Sequence, residues 1–465
     1  MQRIVRDYFP ELLLTSVALF FFLRELGTFP SAWEDDSIFM LVARMLADGH
    51  GYTLPILGKM WQYPYILGVG PTLTVPSAVA IQIFGFSVAA ARTAQVLYLT
   101  GCSVCVYTFS RAISDRTNAR WATAMLVTLS AFVNTGKPVL GEVPALFFLM
   151  LGLLFWLRAD QSAHLRWSML VGAMFGLAAV TKLTFGIVFP ALALCIVVAL
   201  LRKSYKSIVE LITILVVALL FFSSWKIVEI MHNESSLSFL LLRSGLGNGA
   251  VPFNVLRNNA SLLLRMPYQY FAFLFTFAVV GAWGMRKSMT CYKLCFLWAC
   301  IILFTIYFFN NEGWYRHLLP AHVLLLSFVT FGVRRLLGNR WGGAVLVVCI
   351  AAQSWWQWDY RGSTRSEEAA QAATILKERH RDTPLIIRHS EVFVRDPYVS
   401  QWLFLPLPAI ASYAPEEYVR LSEGMQCYPQ LWKVPLHEQA ALGAAAEQVY
   451  QRFTLVKPDG CAPFK

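Results

Sequence analysis

Apolar runs long enough to cross a lipid bilayer recur along this sequence of 465 residues, from Leu12 to about Trp356. A bilayer contains about 30 Å of hydrocarbon, which about 20 helical residues can cross. Backbone groups in lipid must be satisfied internally, and runs at this density are typical of helices. With 57% hydrophobic and only 14% charged residues, the composition excludes an ordinary soluble protein. The sequence therefore predicts an all-α polytopic membrane domain.

The basic residues encode orientation. The net charge of +12 does not indicate nucleic-acid binding, because Lys and Arg lie in short clusters between the apolar runs. Arg3 and Arg6 precede the first predicted span, residues 11–29, which has no small-residue cleavage site after it. We therefore expect a signal anchor, a cytoplasmic N-terminus and an external loop from Pro30 onward.

The short apolar stretch 71–86, which contains Pro71 and Pro76, decides the remaining topology. If it lies at the outer face without crossing, five later basic clusters all fall on the cytoplasmic side, as the positive-inside rule requires. These clusters are Arg111, Arg116 and Arg120; Arg158 and Arg166; Arg202, Lys203 and Lys206; Arg286, Lys287 and Lys293; and Arg334, Arg335 and Arg340. Counting the stretch as a span would place all of them outside, so we adopt the first arrangement.

This arrangement predicts about eleven spans in a plasma (inner) membrane. It places the C-terminus on the external side. The spans after the first cover about 94–109, 121–135, 142–157, 168–181, 184–201, 207–228, 267–285, 294–309, 317–333 and 341–356. We expect a transmembrane module over 1–356, whose first external loop, 30–91, carries surface helices, followed by an external domain over 357–465.

The tail after residue 356 has a different composition, with frequent charges and apolar runs of strand length such as Pro384–Arg388. Helical patterns occur over 366–379 and 438–452, so the tail is expected to be a small soluble α/β domain. Cys427 and Cys461 both lie in this exported part. A disulfide between them and two unrelated thiols are both consistent with the sequence.

Three consecutive carboxylates, Glu34, Asp35 and Asp36, stand at the start of an amphipathic helix that Gly49 should end. We expect that helix to lie on the membrane surface. Asp35 or Asp36 is suited to cap its N-terminus. One carboxylate is enough for a cap, so at least one of the three remains available as a general base.

Further charged residues fall at the predicted outer ends of the spans. Glu142 opens an otherwise apolar helix and follows Lys137, with which it could simply form an ion pair near the interface. The segment from Asn310 to His317 contains Glu312, Tyr315 and Arg316. Arg316 could bind a phosphate in bidentate fashion and His317 could donate a hydrogen bond, or both could be ordinary interfacial residues. Lys182 and Arg92 add two more cations on this side.

Carboxylates and cations in an external pocket at membrane depth suit the transfer of a group from a lipid phosphate to a hydroxyl. A carboxylate would take the acceptor proton while Arg or Lys stabilises the charge on the departing phosphate. A single displacement would invert the sugar carbon. Nucleotide sugars are cytoplasmic, so an external site implies a polyprenyl-phosphate donor.

Several motifs resemble the GT-C glycosyltransferases. They are Trp33-Glu-Asp-Asp36, Ala43-Arg-Met-Leu-Ala-Asp-Gly49, Leu54-Pro-Ile-Leu-Gly58, Gly70-Pro-Thr-Leu-Thr-Val-Pro76 and the stretch from Phe84-Gly85 through Arg92. The chain is most similar to the family 39 relatives, the protein O-mannosyltransferases and the lipid A aminoarabinose transferases. The likeness covers roughly residues 10–330. In that family an external loop beside the first span bears an acidic pair followed by a surface helix.

The resemblance implies a role for each acidic residue. It makes Glu34 or Asp35 the catalytic base, with Asp35 favoured, and Asp36 a helper or cap. Glu142, in Gly141-Glu142-Val-Pro144, becomes a second acidic group near the acceptor. Val180-Thr-Lys182 is similar to a recurring Thr-Lys of the family, and Tyr315-Arg316-His317-Leu-Leu-Pro320 to its late Arg-Tyr-like motif.

Some relatives carry a Glu-Lys pair before a Pro in the first loop, implicated in metal and phosphate binding. This chain has Trp61-Gln-Tyr-Pro64 there, so we assign no metal ligand and no cofactor, and Lys59 is the candidate to replace the missing cation. We therefore assign donor phosphate binding to Arg316, His317, Lys182, Arg92 and Lys59, and substrate contacts to Tyr315, Glu312 and Lys137. The partners are a polyprenyl-phosphate-linked sugar donor and a lipid, glycan or protein acceptor.

Two other functions place charges among membrane helices. A transporter or flippase of lipid-linked sugars is disfavoured, because the chain lacks two matching halves and its carboxylates lie in a loop rather than at the midplane. A polysaccharide polymerase or ligase would share the external site and lipid substrate, but its large catalytic loop is expected late in the chain.

Overall fold

The computed structural model describes residues 2–162, 165–233, 265–286, 289–310, 314–358, 367–399, 401–405, 428–434 and 446–456. Helices dominate up to residue 358. They are α1 (Gln2–Leu23), α2 (Glu34–Ala47), α3 (Pro71–Phe84), α4 (Val88–Ile113), α5 (Arg116–Thr128), α6 (Ser130–Gly136), α7 (Glu142–Ser162), α8 (Leu165–Thr181), α9 (Val188–Leu201), α10 (Tyr205–His232), α11 (Met266–Met285), α12 (Cys291–Phe309) and α13 (Tyr315–Trp358).

The bundle has the length and hydropathy of a multi-pass membrane domain. Among the described residues, seven helices are long and apolar enough to cross a membrane: Val88–Ile113, Glu142–Ala159, Leu183–Leu201, Tyr205–His232, Pro267–Met285, Cys291–Phe309 and Tyr315–Trp358. Shorter apolar helices cover Tyr8–Leu23, Pro71–Phe84 and Leu165–Thr181. The predicted helical membrane domain is thus confirmed. Each of the eleven predicted segments lies wholly or mostly in helix, but the number of crossings stays a prediction.

Three of the predicted spans differ in the structure: one is interrupted and two are joined. Leu129 adopts extended backbone (φ −71°, ψ 111°) between α5 and α6, inside the predicted span 121–135. The last two predicted spans are the two halves of α13, which change direction at Gly338 (φ 74°, ψ 167°). Glycine adopts this positive φ without a clash from Cβ.

The two ends of the bundle are distinguished by their charged side chains. At one end, Glu11 on α1 accepts hydrogen bonds from Tyr107, Arg116 and Arg120 at 2.8, 2.7 and 2.9 Å. At the other end of α1, Lys137 Nζ donates to the carbonyl oxygen of Arg24 at 2.7 Å. The arginines in the first turns of α5, Arg116 and Arg120, therefore lie toward the end opposite the acidic loop.

Helix α3 starts and finishes at the end of the bundle that carries the acidic loop. Thr72 in its first turn shares a 2.6 Å hydrogen bond with Thr181 at the end of α8. Shortly after its last residue, Arg92 near the start of α4 contacts Asp36. The stretch 71–84 therefore does not cross the bundle, which is the arrangement on which the predicted topology depends. The compartment that this end faces stays a prediction.

Helix α2 forms where its apolar spacing predicts and ends before Gly49, whose φ is +85°. Its apolar residues Ile38, Leu41 and Val42 are at most 4% exposed, because they pack on α3 and on the C-terminal part of the chain. The apolar face of α2 is therefore covered by protein, and the position of this helix relative to the membrane surface stays a prediction. A hairpin of β1 (Thr53–Ile56) and antiparallel β2 (Lys59–Gln62) follows it.

The C-terminal part is a small α/β domain, as predicted. It contains α14 (Glu368–Arg379), β3 (Leu385–Ile387), α15 (Ser390–Phe393), β4 (Trp402–Phe404), β5 (Gln430–Lys433), β6 (Ala446–Tyr450) and β7 (Phe453–Val456). The sheet order is β4-β3-β5-β7-β6. Strand β3 is parallel to β4 and β5, whereas β7 is antiparallel to β5 and β6.

The helix predicted over 438–452 is wrong for the described part of that range. Residues 446–450 form β6, and residues 438–445 lie outside the described residues. Ala, Glu and Gln favour a helix locally, but the ladder with β7 and the burial of Val449 override that preference. Gln451, with φ of 45°, makes the turn between the two strands.

Apolar side chains form two cores. One fills the helix bundle, with Phe132, Phe175 and Phe328 fully buried. The other joins α2, β1 and Leu73 of α3 to the C-terminal strands. The backbone N–H of Leu57 also donates to the carbonyl oxygen of Phe404 at 2.9 Å. The segment that follows α1, up to α3, and the C-terminal domain thus share a core, while the division at residues 356 and 357 stays a prediction.

The described cysteines are all free thiols: Cys102, Cys105, Cys195, Cys291, Cys295, Cys300 and Cys349. Cys427 and Cys461 lie outside the described residues, so the disulfide between them stays a prediction.

Candidate active site

Asp35 and Arg316 meet where the first turn of α2 faces the start of α13. The Nη1 atom of Arg316 donates to Oδ2 of Asp35 at 2.9 Å. The side chain of Asp35 is 37% exposed, whereas that of Arg316 is only 13% exposed. Among the described residues, Nε of Arg316 is buried without a hydrogen-bond acceptor. This guanidinium therefore has a donor left for another anionic group.

Glu142 lies on the other side of Arg316 and close to Lys182. Its Oε1 atom is 3.5 Å from Nζ of Lys182 and 3.8 Å from Nε of Arg316. The Glu142 side chain is 3% exposed, and neither of its carboxylate oxygens accepts a hydrogen bond in the described structure. The alternative of an ion pair between Glu142 and Lys137 is not supported, because Lys182 and Arg316 are the ionic neighbours of Glu142 in the described structure.

Aromatic rings frame the two cations. The guanidinium carbon of Arg316 lies 4.9 Å from the ring centroid of Trp33 and 4.2 Å from that of Trp314. The two indole rings are themselves 5.6 Å apart. Lys182 Nζ lies 5.5 Å from the ring centroid of Phe39 on α2. Cation–π contacts and low exposure restrict the motion of both cations.

Close backbone contacts position Lys182. Val69 forms an isolated antiparallel bridge with Lys182, and the N–H of Leu183 donates to the carbonyl oxygen of Gly68 at 3.0 Å. A Cβ atom at Gly70 would lie 2.5 Å from the Val180 carbonyl oxygen, and one at Gly141 would lie 2.9 Å from Lys182 Cδ. Both glycines therefore allow segments to approach more closely than any other residue would permit.

Asp36 and Arg92 form a fully buried ion pair beside this cluster. Arg92 Nη2 donates to Asp36 Oδ2 at 2.5 Å, and both side chains are 0% exposed. Arg92 also donates to the carbonyl oxygens of Leu26 and Pro30, while Asp36 accepts from the N–H of Val139 at 2.6 Å. The expected contact of Arg92 with the donor phosphate conflicts with this burial, which favours a structural role for the pair.

None of the three carboxylates caps α2. The N-cap position is occupied by Trp33, whose side chain makes no capping hydrogen bond. The prediction of an Asp35 or Asp36 cap is therefore wrong. Successive helical residues point about 100° apart, so each carboxylate meets a different neighbour.

Glu34 faces the C-terminal domain rather than Arg316. Burial, followed by repulsion from Glu391 and Asp35, raises the pKa of Glu34 to about 7, against the attraction of Lys433. Asp35 is the carboxylate of the triplet that contacts Arg316.

Several other predicted residues have separate surroundings. Lys137, at 1% exposure, contacts the Arg24 carbonyl oxygen, and the Tyr315 hydroxyl shares a 2.6 Å hydrogen bond with Nδ1 of His322. Their expected substrate contacts are not supported by this burial. Lys59 is exposed on β2 and forms no ion pair among the described residues. Glu312 lies outside the described residues.

His317 follows Arg316 on α13, and its ring centroid is 5.4 Å from that of Tyr307. His317 was predicted to bind phosphate, and it is the sequence neighbour of Arg316 in the cluster. Among the described residues, no group of three or more His, Cys, Asp or Glu side chains could hold a metal ion.

Sequence reasoning did not select Glu391, nor Trp33 and Trp314 as a frame for Arg316. The two indoles flank charged motifs, and aromatic residues beside Arg and Asp offered a weak signal. Glu391 offered none, because only the folding of the C-terminal domain onto α2 brings it near Glu34.

Comparisons with known proteins agree with this architecture. The family model described as dolichyl-phosphate-mannose-protein mannosyltransferase matches residues 72–227. None of the curated protein sequences compared with the chain matches it. Solved structures with a similar fold include ArnT from Cupriavidus metallidurans in the apo state, with 14% identity, a TM-score of 0.67 and coverage of 96% of this chain and 97% of that one.

The same enzyme bound to undecaprenyl phosphate gives a TM-score of 0.66 at 13% identity, with the same coverage. An apo oligosaccharyltransferase from Archaeoglobus fulgidus gives 0.56 at 13% identity, covering 92% of this chain and 70% of that one. These likenesses extend over the C-terminal domain as well as the helix bundle. The chain therefore has the fold of the GT-C glycosyltransferases, which confirms the resemblance predicted from its sequence.

Proposed function

We propose that the chain is an inverting glycosyltransferase that moves a sugar from a polyprenyl-phosphate donor to an acceptor hydroxyl on the non-cytoplasmic face of the membrane. The acceptor is a lipid, glycan or protein of the cell envelope. The observation that carries the proposal is the single cluster formed by Asp35, Arg316, Glu142 and Lys182 at one end of the bundle. Two carboxylates alternate there with two cations.

Asp35 acts as the general base. It is the most exposed of these four side chains, so an acceptor hydroxyl can reach it. Its carboxylate takes the hydroxyl proton while the acceptor oxygen attacks the anomeric carbon from the face opposite the phosphate. The bond from that carbon to the phosphate oxygen breaks, and the configuration at the carbon is inverted.

Arg316 and Lys182 stabilise the departing lipid phosphate. Arg316 already binds the carboxylate of Asp35 and has a buried Nε without an acceptor. A phosphate oxygen can therefore bind Arg316 next to Asp35. Binding of the donor would then release Asp35 from its ion pair and make it available as a base. Glu142 holds both cations in place and lies close enough to contact the acceptor side.

The relatives support a lipid phosphate as ligand. ArnT from Cupriavidus metallidurans has been crystallised with undecaprenyl phosphate, and an archaeal oligosaccharyltransferase with dolichol phosphate and an inhibitory peptide. Both are proteins with the same fold as this chain. We infer a related carrier lipid here, with the donor sugar to be identified by experiment.

The test is transfer of radiolabelled sugar from undecaprenyl-phosphate donors, each carrying a different sugar, to membrane acceptors by membranes that contain the wild type or Asp35→Asn. We expect the substitution to reduce transfer by about 100-fold or more. Asp382→Asn, at an exposed carboxylate of the C-terminal domain, is the matched control and should leave transfer unchanged. Full transfer by Asp35→Asn would reject the assignment of the base. Absence of transfer with every donor would instead favour a transporter.

A further inference from the structure

The C-terminal domain holds α2 at both ends. Ser390, which is 0% exposed on α15, donates from Oγ to the carbonyl oxygen of Glu34 at 2.9 Å. Near the other end of α2, Nη1 of Arg44 donates to the carbonyl oxygens of Val394 and Arg395 at 2.7 and 2.9 Å. One short segment of the domain thus determines both the position and the rotation of α2.

Glu391, the residue after Ser390, is a buried carboxylate with an unused oxygen. Its side chain is 5% exposed, and Oε1 lies 3.3 Å from Nζ of Lys433 and 3.8 Å from Nδ1 of His389. Its Oε2 atom is buried and accepts no hydrogen bond among the described residues. Leaving a buried acceptor unsatisfied costs about 1–3 kcal/mol, so this geometry favours a donor on a neighbouring group.

Glu34 on α2 is an electrostatic neighbour of Glu391. It lies near enough to Glu391 for repulsion between the two carboxylates to contribute, after burial, to its raised pKa of about 7. Below that pH Glu34 is neutral and carries a proton that it can donate. The charged groups around this pair include Asp35 on α2, Lys433 on β5, Arg395 after α15 and Arg452 between β6 and β7. Burial lowers the pKa of the adjacent His389, against the attraction of Glu391.

We propose that Ser390 and Glu391 are positioning residues of the active site, which hold Glu34 against the C-terminal domain and thereby leave Asp35 facing Arg316. The proposal rests on the proposed function in assigning the base to Asp35. It explains how three adjacent carboxylates have three functions. The Glu34 carboxylate faces Glu391 while its backbone carbonyl oxygen accepts from Ser390, Asp35 contacts Arg316, and Asp36 pairs with Arg92.

The attachment depends on pH in a defined direction. The pKa of Glu34 is raised in the folded protein from its ordinary value near 4.5 to about 7. A group whose pKa is raised by folding stabilises the folded contact fully below its ordinary pKa near 4.5. This contribution is lost as the pH rises through the raised pKa of about 7. Above pH of about 7, two carboxylates repel each other at the contact between α2 and α15.

Hydrogen–deuterium exchange of the full chain in lipid nanodiscs tests this without any substrate. After correction for the intrinsic exchange rate, backbone protection in α2 and in residues 390–394 should fall several-fold between pH 5.5 and 8.5. In Glu34→Gln, protection should be the same at both pH values, because the titrating group is absent. In Glu391→Gln, the fall should be smaller than in the wild type, because the repulsion from Glu391 is absent while burial still opposes the charge on Glu34. Ser390→Ala should lower protection at both. A wild type without this pH dependence, or a Glu34→Gln protein that keeps it, would overturn the proposal.

Transfer of sugar separates the positioning role from catalysis. We expect Glu34→Gln to retain transfer from the active donor within about threefold, whereas a general base is worth about 100-fold or more. Loss of transfer in Glu34→Gln with normal protection of α2 would make Glu34 the base and overturn the proposal. If no polyprenyl-phosphate donor supports transfer by the wild type, the proposed function fails, and the exchange experiment still decides the positioning role.

Discussion

The buried charges of the active site predict a specific coupling between two substitutions. Glu142 and Lys182 have side chains that are only 3% and 8% exposed, with Oε1 and Nζ 3.5 Å apart. Arg316 lies 3.8 Å from the same oxygen and is neutralised in addition by Asp35. Glu142→Gln leaves two buried cations with one carboxylate, and Lys182→Met leaves two carboxylates with one cation. The double variant restores the balance.

The magnitude follows from these distances. At an effective dielectric constant of about 20, charges 3.5–3.8 Å apart attract by about 4–5 kcal/mol before the cost of desolvation is subtracted. Removing one partner of a buried pair typically lowers the free energy of unfolding by about 3–5 kcal/mol. We expect each single variant to fall near that range. The loss in the double variant should be smaller than the sum by about 2–3 kcal/mol.

Unfolding by SDS in mixed micelles, followed by circular dichroism, measures these free energies on the purified full chain. Lys59→Met is the control, because Lys59 is exposed and forms no ion pair with the cluster. This substitution should change the free energy of unfolding by no more than about 0.5 kcal/mol. If the losses of the two single variants simply add in the double variant, Glu142 and Lys182 do not share a buried electrostatic environment. The reasoning about the site would then be refuted.

Two further predictions concern topology and packing. A cysteine at Ser114, in the arginine-rich linker, should resist an impermeant thiol reagent in intact cells while one at His50 reacts; labelling at Ser114 would contradict the orientation. Gly70→Ala should destabilise the protein by about 1–3 kcal/mol in the same SDS titration, because its Cβ would lie 2.5 Å from the carbonyl oxygen of Val180. At Gly186 a Cβ would have its nearest contact at 3.9 Å, so Gly186→Ala is the matched control, and an equal loss in both would exclude the clash as the cause.

Hydrophobic periodicity and charge bias were sufficient to predict most of the fold. Apolar runs of span length identified the membrane domain, and the basic clusters indicated that α3 does not cross the bundle. The amphipathic pattern from Ile38 to Leu46 predicted α2 correctly. These inferences succeed because they depend on local composition and on the bilayer, which acts on every segment in the same way.

Predictions that depended on contacts with a distant segment of the chain were less successful. The pattern 438–452 favours a helix until the ladder between β6 and β7 is considered. The apolar face of α2 indicates that the helix packs on an apolar surface. It does not distinguish a lipid surface from the C-terminal domain that covers it. In both cases the missing information is the identity of a distant segment, which no local pattern contains.

The candidate site shows the same division. The sequence by itself determined the membrane domain, the acidic triplet at the start of a helix, and the presence of Glu142, Lys182 and Arg316 at span ends. Tertiary structure decided which of these charges meet. It paired Asp36 with Arg92 in the interior, turned Glu34 toward Glu391, and left Asp35 beside Arg316. Burial and distance determine whether a carboxylate is a base, a structural ion or a proton carrier, and both arise only when helices far apart in sequence pack together.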